Sequence, residues 1–205
     1  MDFHLIINTV KGFISKPSEE WQKIKANPIT KREMLIKIIV PLIIVYVVAT
    51  LLGSIISYVI RPYVLQFVGF GRLFVYSLVN SLLMGAVIFG LLYGGSFVLL
   101  ALADKFGAKK DDTLTLKVMT FSYIVSLVSS IAQIIPFIGW LVVAAGSVYS
   151  LILLFWGMRD VLEPQQDKMV VYFILTLLII IVAGAILSVL VGIVAGLILG
   201  GAMLR

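Results

Sequence analysis

The sequence predicts an all-α membrane protein, a polytopic bundle of five transmembrane helices led by short amphipathic, interfacial helices. Three observations carry that reading. Hydrophobic residues make up 61% of the chain and charged residues only 13%, against about 25% charged in a typical soluble domain. Four uncharged stretches, 38–60, 73–103, 118–158 and 169–204, each supply the roughly 20 apolar residues that cross a bilayer. The period-2 alternation of an outer-membrane barrel is absent from them, so helices must satisfy the backbone in lipid.

The first elements lie in residues 1–35. "MDFHLIINTV" lacks the basic start and small-residue cleavage site of a signal peptide, and Met1 is read as the retained N-terminus. Phe3, Ile6, Ile7, Val10, Phe13 and Ile14 recur near helical spacing. Either this face lies on the membrane surface, where its lysines favour an anionic leaflet, or it packs on the protein's own loops. "KPSEEW" opens a second helix: Pro17 suits a first turn, and Glu19 and Glu20 sit near the positive end of the dipole. Trp21 shares a face with Ile24 and is expected at the interface. Asn27-Pro28 stops that helix, and Thr30 with Glu33 forms a capping box that starts the next one.

Five spans follow, at about 36–60, 74–103, 118–135, 139–158 and 169–200. The stretch 118–158 breaks at "IIPFIGW", where Pro136 removes a backbone donor and Gly139 permits a tight hairpin. The last stretch, 36 residues long, is read as one tilted helix with an end outside the hydrocarbon. The chain thus divides into an interfacial segment, 1–35, and a transmembrane domain, 36–205.

Basic residues set the orientation. Seven lie ahead of the first span (Lys11, Lys16, Lys23, Lys25, Lys31, Arg32, Lys37), four in the second loop (Lys105, Lys109, Lys110, Lys117) and two in the fourth (Arg159, Lys168). Only Arg61, Arg72 and Arg205 fall on the other side. The excess predicts a cytoplasmic N-terminus and a C-terminus on the opposite side. A sixth span would move Arg205 alone.

The chemistry these residues allow is narrow. There is no cysteine, which excludes disulfides and thiolate sites. His4 is the only histidine and is expected at the interface, so a Ser-His or metal-His site is not expected. No Asp, Glu, Lys, Arg or His sits within the uncharged stretches that form the spans, which argues against proton coupling. No catalytic constellation, metal site or cofactor is expected, and no nucleic-acid partner. Ser122, Ser126, Ser129, Ser130 and Gln133 stand at offsets 0, 4, 7, 8 and 11, one helical face. That face either lines a solute path or hydrogen-bonds to neighbouring helices, at about 0.6 kcal/mol per contact; packing is the favoured reading. Gln133 needs a partner in lipid, and Asn80 in the second span is the candidate. Lys109-Lys110 beside Asp111-Asp112 is a weak signal for a partner, lipid headgroups or a divalent ion, and the loops 104–117 and 158–168 are read as solvated.

One pattern concerns assembly. Gly184, Ser188, Gly192, Gly196 and Gly200 follow a strict four-residue step, and Ala86, Gly90 and Gly94 repeat it in the second span. An interior Gly costs roughly 1 kcal/mol against Ala in a soluble helix, but in lipid small residues permit close backbone approach. Pairing of the two stripes within one protomer is slightly favoured over a homodimer seam.

"KPSEEWQKI", "DKFGAKKDDTLTLKVMTFSYIVSLVSSIAQIIPFIGW" and "SVYSLILLFWGMRDVLE" together resemble the Yip1 family of small five-span membrane proteins, over about residues 10–200. The resemblance implies a membrane-organising or trafficking role without enzymatic activity. Eukaryotic members associate with Rab-type GTPases and carry a longer cytosolic N-terminal region. Here that region is only about 35 residues, which weakens any inference of GTPase binding and is similar to the short prokaryotic branch, hence a prokaryotic cytoplasmic membrane. The expected partners are the lipid bilayer, a membrane or cytosolic protein, and a second copy. The alternative function is a small-solute transporter or channel using the polar face of the third span.

Overall fold

The computed structural model describes residues 3–200, and every side chain among them except those of 3–5, 62, 64, 65 and 198–200. Regular structure in that range is entirely helical. Two short helices, α1 (Phe3–Ser15) and α2 (Pro17–Ala26), precede five stretches long and apolar enough to cross a membrane. These are Lys31–Ile60, Phe70–Phe106, Asp112–Ile134, Gly139–Leu162 and Met169–Leu197.

The first span is built from α3 (Lys31–Met34), a π-helical turn Leu35–Ile39 and α4 (Val40–Ile60). Its start is the capping box: the Glu33 amide donates to Thr30 Oγ1 at 3.2 Å, and the Thr30 amide to Glu33 Oε2 at 3.2 Å. The widened turn lies directly before Pro41, whose missing N–H and bulky ring would clash with a regular preceding turn. A further helix, α5 (Pro62–Val68), links α4 to α6 (Phe70–Ala103). Tyr63, Phe67, Phe70 and Phe74 are exposed around this link, the distribution of an aromatic belt at a membrane boundary.

A 3-10 turn, Asp104–Phe106, closes α6, and α7 (Asp112–Ser129) starts at Asp112 rather than at 118. The reason is local: the Asp111 carboxylate accepts from the amides of Thr113 at 2.7 Å and Leu114 at 2.9 Å, an N-cap. After a 3-10 turn, Ser130–Ile134, the chain makes its hairpin into α8 (Gly139–Gly157). Pro136 accepts from the Ile138 amide at 2.8 Å. The left-handed residue is Phe137, at φ 67°, and not Gly139. Gly139 serves a different end, because a Cβ there would strike the Ala132 carbonyl oxygen. A π-helical turn, Met158–Leu162, extends α8, and α9 (Met169–Gly200) completes the described chain.

The most buried span is the third, 67% buried against 11% for the last. Accordingly α7 packs on α4, α6 and α8, while α9 leans on α6 from outside. The α9 seam is Met169, Tyr172, Thr176, Ile180, Val191 and Ala195, all buried. Tyr172 donates its hydroxyl to the Leu99 carbonyl at 2.6 Å and stacks on Phe106 with centroids 4.9 Å apart.

This seam corrects the paired-stripe expectation. A strict four-residue step advances about 400° on a 3.6-residue helix, so each step drifts by about 40° from a straight seam. Gly184 still lies near it, with space for a Cβ 3.5 Å from Leu91. Ser188 is exposed, and a Cβ at Gly192 or Gly196 would meet nothing within 4 Å. The same is true of Gly90 and Gly94, and Ala86 is exposed. Apart from Gly184, the described stripe residues therefore face away from the bundle; the surroundings of Gly200 lie outside the described residues. The small residue that brings α6, α7 and α9 together is Gly95, where a Cβ would stand 3.0 Å from Met119 Sδ and 3.1 Å from Ile180 Cδ1.

The N-terminal helices also differ from a free interfacial pair. Phe13 and Trp21 are fully buried, with ring centroids 5.0 Å apart, and Val10 is half-buried against the same core. Tyr149 of α8 donates its hydroxyl to the Phe13 carbonyl at 2.7 Å. Ile6, Val10 and Phe13 of the apolar face therefore cover the protein's own core, with Trp21 seated in the slot left by Gly157, while Ile7 and Ile14 stay exposed. The Phe3 and His4 side chains lie outside the described ones.

Candidate functional site

Two polar regions stand at opposite ends of the bundle. The first joins the N-terminal helices to the loops after α6 and α8. Lys117 is buried within α7, and its Nζ donates to the carbonyls of Asn27 at 2.6 Å and Lys25 at 3.4 Å. These are carbonyls at the end of α2, so the lysine acts as a cationic C-terminal cap. Sequence reasoning placed Lys117 in a solvated loop; the Asp111 cap puts it on the first turns of α7, and its carbonyl partners show only once α2 is docked.

Around it the charges are mutually paired. Glu163, left-handed at φ 50°, receives Lys109 Nζ at 2.7 Å and also pairs with Lys25. The two ammonium groups, Lys109 first, hold its carboxyl down at about 2. Lys31 pairs with Asp112, and Lys110 with Asp104. Backbone bonds join the two loops: the Lys109 amide donates to the Leu162 carbonyl at 2.7 Å, and Gln165 to Phe106 at 3.0 Å. Asp111 and Asp112 are thus a cap and an ion-pair partner, pointing to different groups. Among the described residues no three His, Cys, Asp or Glu side chains converge on one point. The segment 158–168 is corrected likewise: Met158, Val161 and Leu162 are fully buried, because α2 rests on them.

The polar face of α7 is a packing seam with α8. The Ser126 amide donates to Ser150 Oγ at 3.1 Å, and Ser126 Oγ lies 3.2 Å from Ser147 Oγ. Ser129 and Ser130 donate back to the carbonyls of Val125 and Leu127. Ser122 is fully buried. Asn80 and Gln133 are both half-buried but no hydrogen bond joins them among the described residues; Gln133 faces α4 instead.

That last residue belongs to the second region, an open cleft of about 560 Å³ between the end of α4 and the α7–α8 hairpin. Thr50, Ser54, Ser57 and Tyr58 line one wall, Gln133 the floor, Phe137 and Trp140 the rim. Gly53 lets the walls close, since a Cβ there would lie 2.6 Å from the Gln133 carbonyl oxygen. A smaller hollow of about 270 Å³ shares Ser57, Phe137 and Trp140 and adds Arg61. This α4 face went unread, although Thr50, Ser54, Ser57 and Arg61 stand at offsets 0, 4, 7 and 11, the spacing that marked the α7 stripe.

The family model described as Yip1 domain matches residues 11–188. No curated protein and no solved structure matches the chain.

Proposed function

The chain belongs to the Yip1 family, and from that premise we propose that it is a non-enzymatic organiser of membrane or partner proteins, in the cytoplasmic membrane of a prokaryote with its N-terminal face in the cytoplasm. The observation that carries the reading is the docked platform of α1 and α2. Its inner face is held by Trp21, Phe13 and Lys117. Its outer face presents exposed Ile7 and Ile14 beside Lys11, Lys16 and Lys23. A rigid surface mixing apolar and basic groups suits a protein partner at an anionic leaflet.

A second copy is part of the same reading. The outward Ser188–Gly192–Gly196 edge of α9 and the Ala86–Gly90–Gly94 edge of α6 are open to close helix contact from another molecule.

The test is a photo-crosslinking residue at Ile7 and at Ile14 in native membranes. A discrete protein adduct that disappears in Lys11→Glu/Lys23→Glu supports the organiser. Adducts to lipid alone would sink it. Solute flux into liposomes, lost in Ser126→Leu and Gln133→Leu, would transfer the function to transport. Cysteines at Lys11 and Phe67 read the orientation: an impermeant reagent on intact cells should label 67 only.

A further inference from the structure

We propose that the cleft between α4 and the α7–α8 hairpin is a binding site for the phosphate headgroup of an anionic glycerophospholipid. The argument starts from charge. All ten acidic residues lie in the N-terminal segment or in the loops 104–112 and 160–167, and the nine among the described residues are on the face opposite the cleft. Arg61 caps the end of α4 at the cleft mouth, is exposed, and forms no ion pair among the described residues. It is therefore free to meet an external anion.

The walls match a phosphate ester that bears hydroxyls. Ser54 donates to the Thr50 carbonyl at 2.9 Å, which leaves its oxygen free to accept. Ser57, Tyr58 and the Gln133 amide line the cleft with no hydrogen bond to another described side chain or carbonyl. Arg61 lines the adjoining hollow, which shares Ser57, Phe137 and Trp140 with the cleft, so the four donors are spread over two neighbouring volumes, and a guanidinium beside hydroxyls is a strong phosphate receptor. The volume lies within the roughly 300–1,000 Å³ of ordinary ligand sites.

The rim selects a lipid over a soluble ester. Phe137 and Trp140 are 76% and 66% exposed, and Phe137 is held out by its left-handed backbone, a strained state for a bulky residue. Exposed aromatics at a membrane boundary contact glycerol and upper acyl chains. The exposed Phe67 and Phe70, which follow Arg61 in sequence, mark a boundary on the same side. A headgroup enters the polar cleft while its chains stay in the bilayer.

Arg72 supplies the internal control, being on the same side of the bundle and exposed but lining no described cleft. The experiment is native mass spectrometry of the full chain in detergent, titrated with phosphatidylglycerol and with phosphatidylcholine. One phosphatidylglycerol per chain should be retained, about tenfold more tightly than phosphatidylcholine. Arg61→Gln should remove that preference, Gln133→Leu should weaken it, and Arg72→Gln should leave it within about twofold. Equal loss in Arg61→Gln and Arg72→Gln would mean general interfacial attraction and overturn the site. Displacement by millimolar glycerol 3-phosphate, or by inorganic phosphate, would make the ligand a soluble ester and overturn the lipid. Arg61 is exposed and forms no ion pair among the described residues, so its variant should fold; an unchanged thermal midpoint checks that.

Discussion

Trp21 lies against Gly157: a Cβ at 157 would stand 2.7 Å from the indole Cζ2. The ring is fully buried in the slot this glycine leaves on α8, and it holds α2 to the transmembrane bundle. Gly157→Ala should therefore lift the indole and destabilise the docked helices by about 1–3 kcal/mol, the cost of overpacking. Trp21→Ala should cost about 3–5 kcal/mol through the cavity it opens. Limited proteolysis of the N-terminal helices in detergent measures both, and cleavage unchanged in either variant would refute the contact.

Lys117→Met should loosen the same helices by another route. It keeps the stem but removes the donor that Asn27 and Lys25 carbonyls receive. The expected loss is about 1–3 kcal/mol, that of a charge-assisted bond removed from a partly buried site. Hydrogen exchange at 23–27 should rise while exchange in α9 stays constant.

Glu163 predicts a pH response. Its carboxyl is held at about 2 in the folded chain, below the ordinary 4.5. A lowered folded value means the unfolded chain binds the proton more readily. The stabilisation is thus complete above about 4.5 and is lost as pH falls towards about 2. Thermal midpoints of the wild type and Glu163→Gln should differ at pH 7 and converge as pH drops through that window. Added salt should also narrow the gap, because the side chains are largely exposed.

Cysteine crosslinking discriminates the faces of α9. Gly192→Cys and Gly196→Cys should give oxidative dimers in native membranes, since both positions are open. Ile180→Cys should give none, being buried under α6. Leu190→Cys is the exposed off-stripe control. Equal yields at 190, 192 and 196 would indicate random collision and remove the self-association surface.

Ser150→Ala should cost only about 0.6 kcal/mol, typical of a hydrogen bond between membrane helices. It removes the acceptor of the Ser126 amide on the α7–α8 seam. A thermal midpoint reads it, and a large loss would mean that the seam is more than side-by-side packing.

Much of the architecture was legible because it rests on one-dimensional quantities. The four uncharged stretches act through their length, the Thr30–Glu33 box and the break at Pro136 within a few residues, and each stands in the structure. The α4 half of the cleft was also written in the spacing of Thr50, Ser54, Ser57 and Arg61, but a polar face has no meaning until its neighbour is known. Lys117 shows the opposite limit. Its role depends on carbonyls about 90 residues away in sequence, and no local pattern encodes that distance.

The sequence by itself determined that the chain is a five-span, all-helical membrane protein with its acids and most of its lysines on one face, because hydropathy and charge are summed along the chain and answer to the bilayer alone. Only the tertiary structure decided which faces meet. It turned the glycine stripes outward and put Gly95 at the contact. It folded Phe13 and Trp21 inward and opened a polar cleft beside Arg61. The physical reason is that the spans are apolar over most of their surface, α9 almost throughout, so hydropathy alone does not say which face meets which neighbour; close packing of particular side chains does.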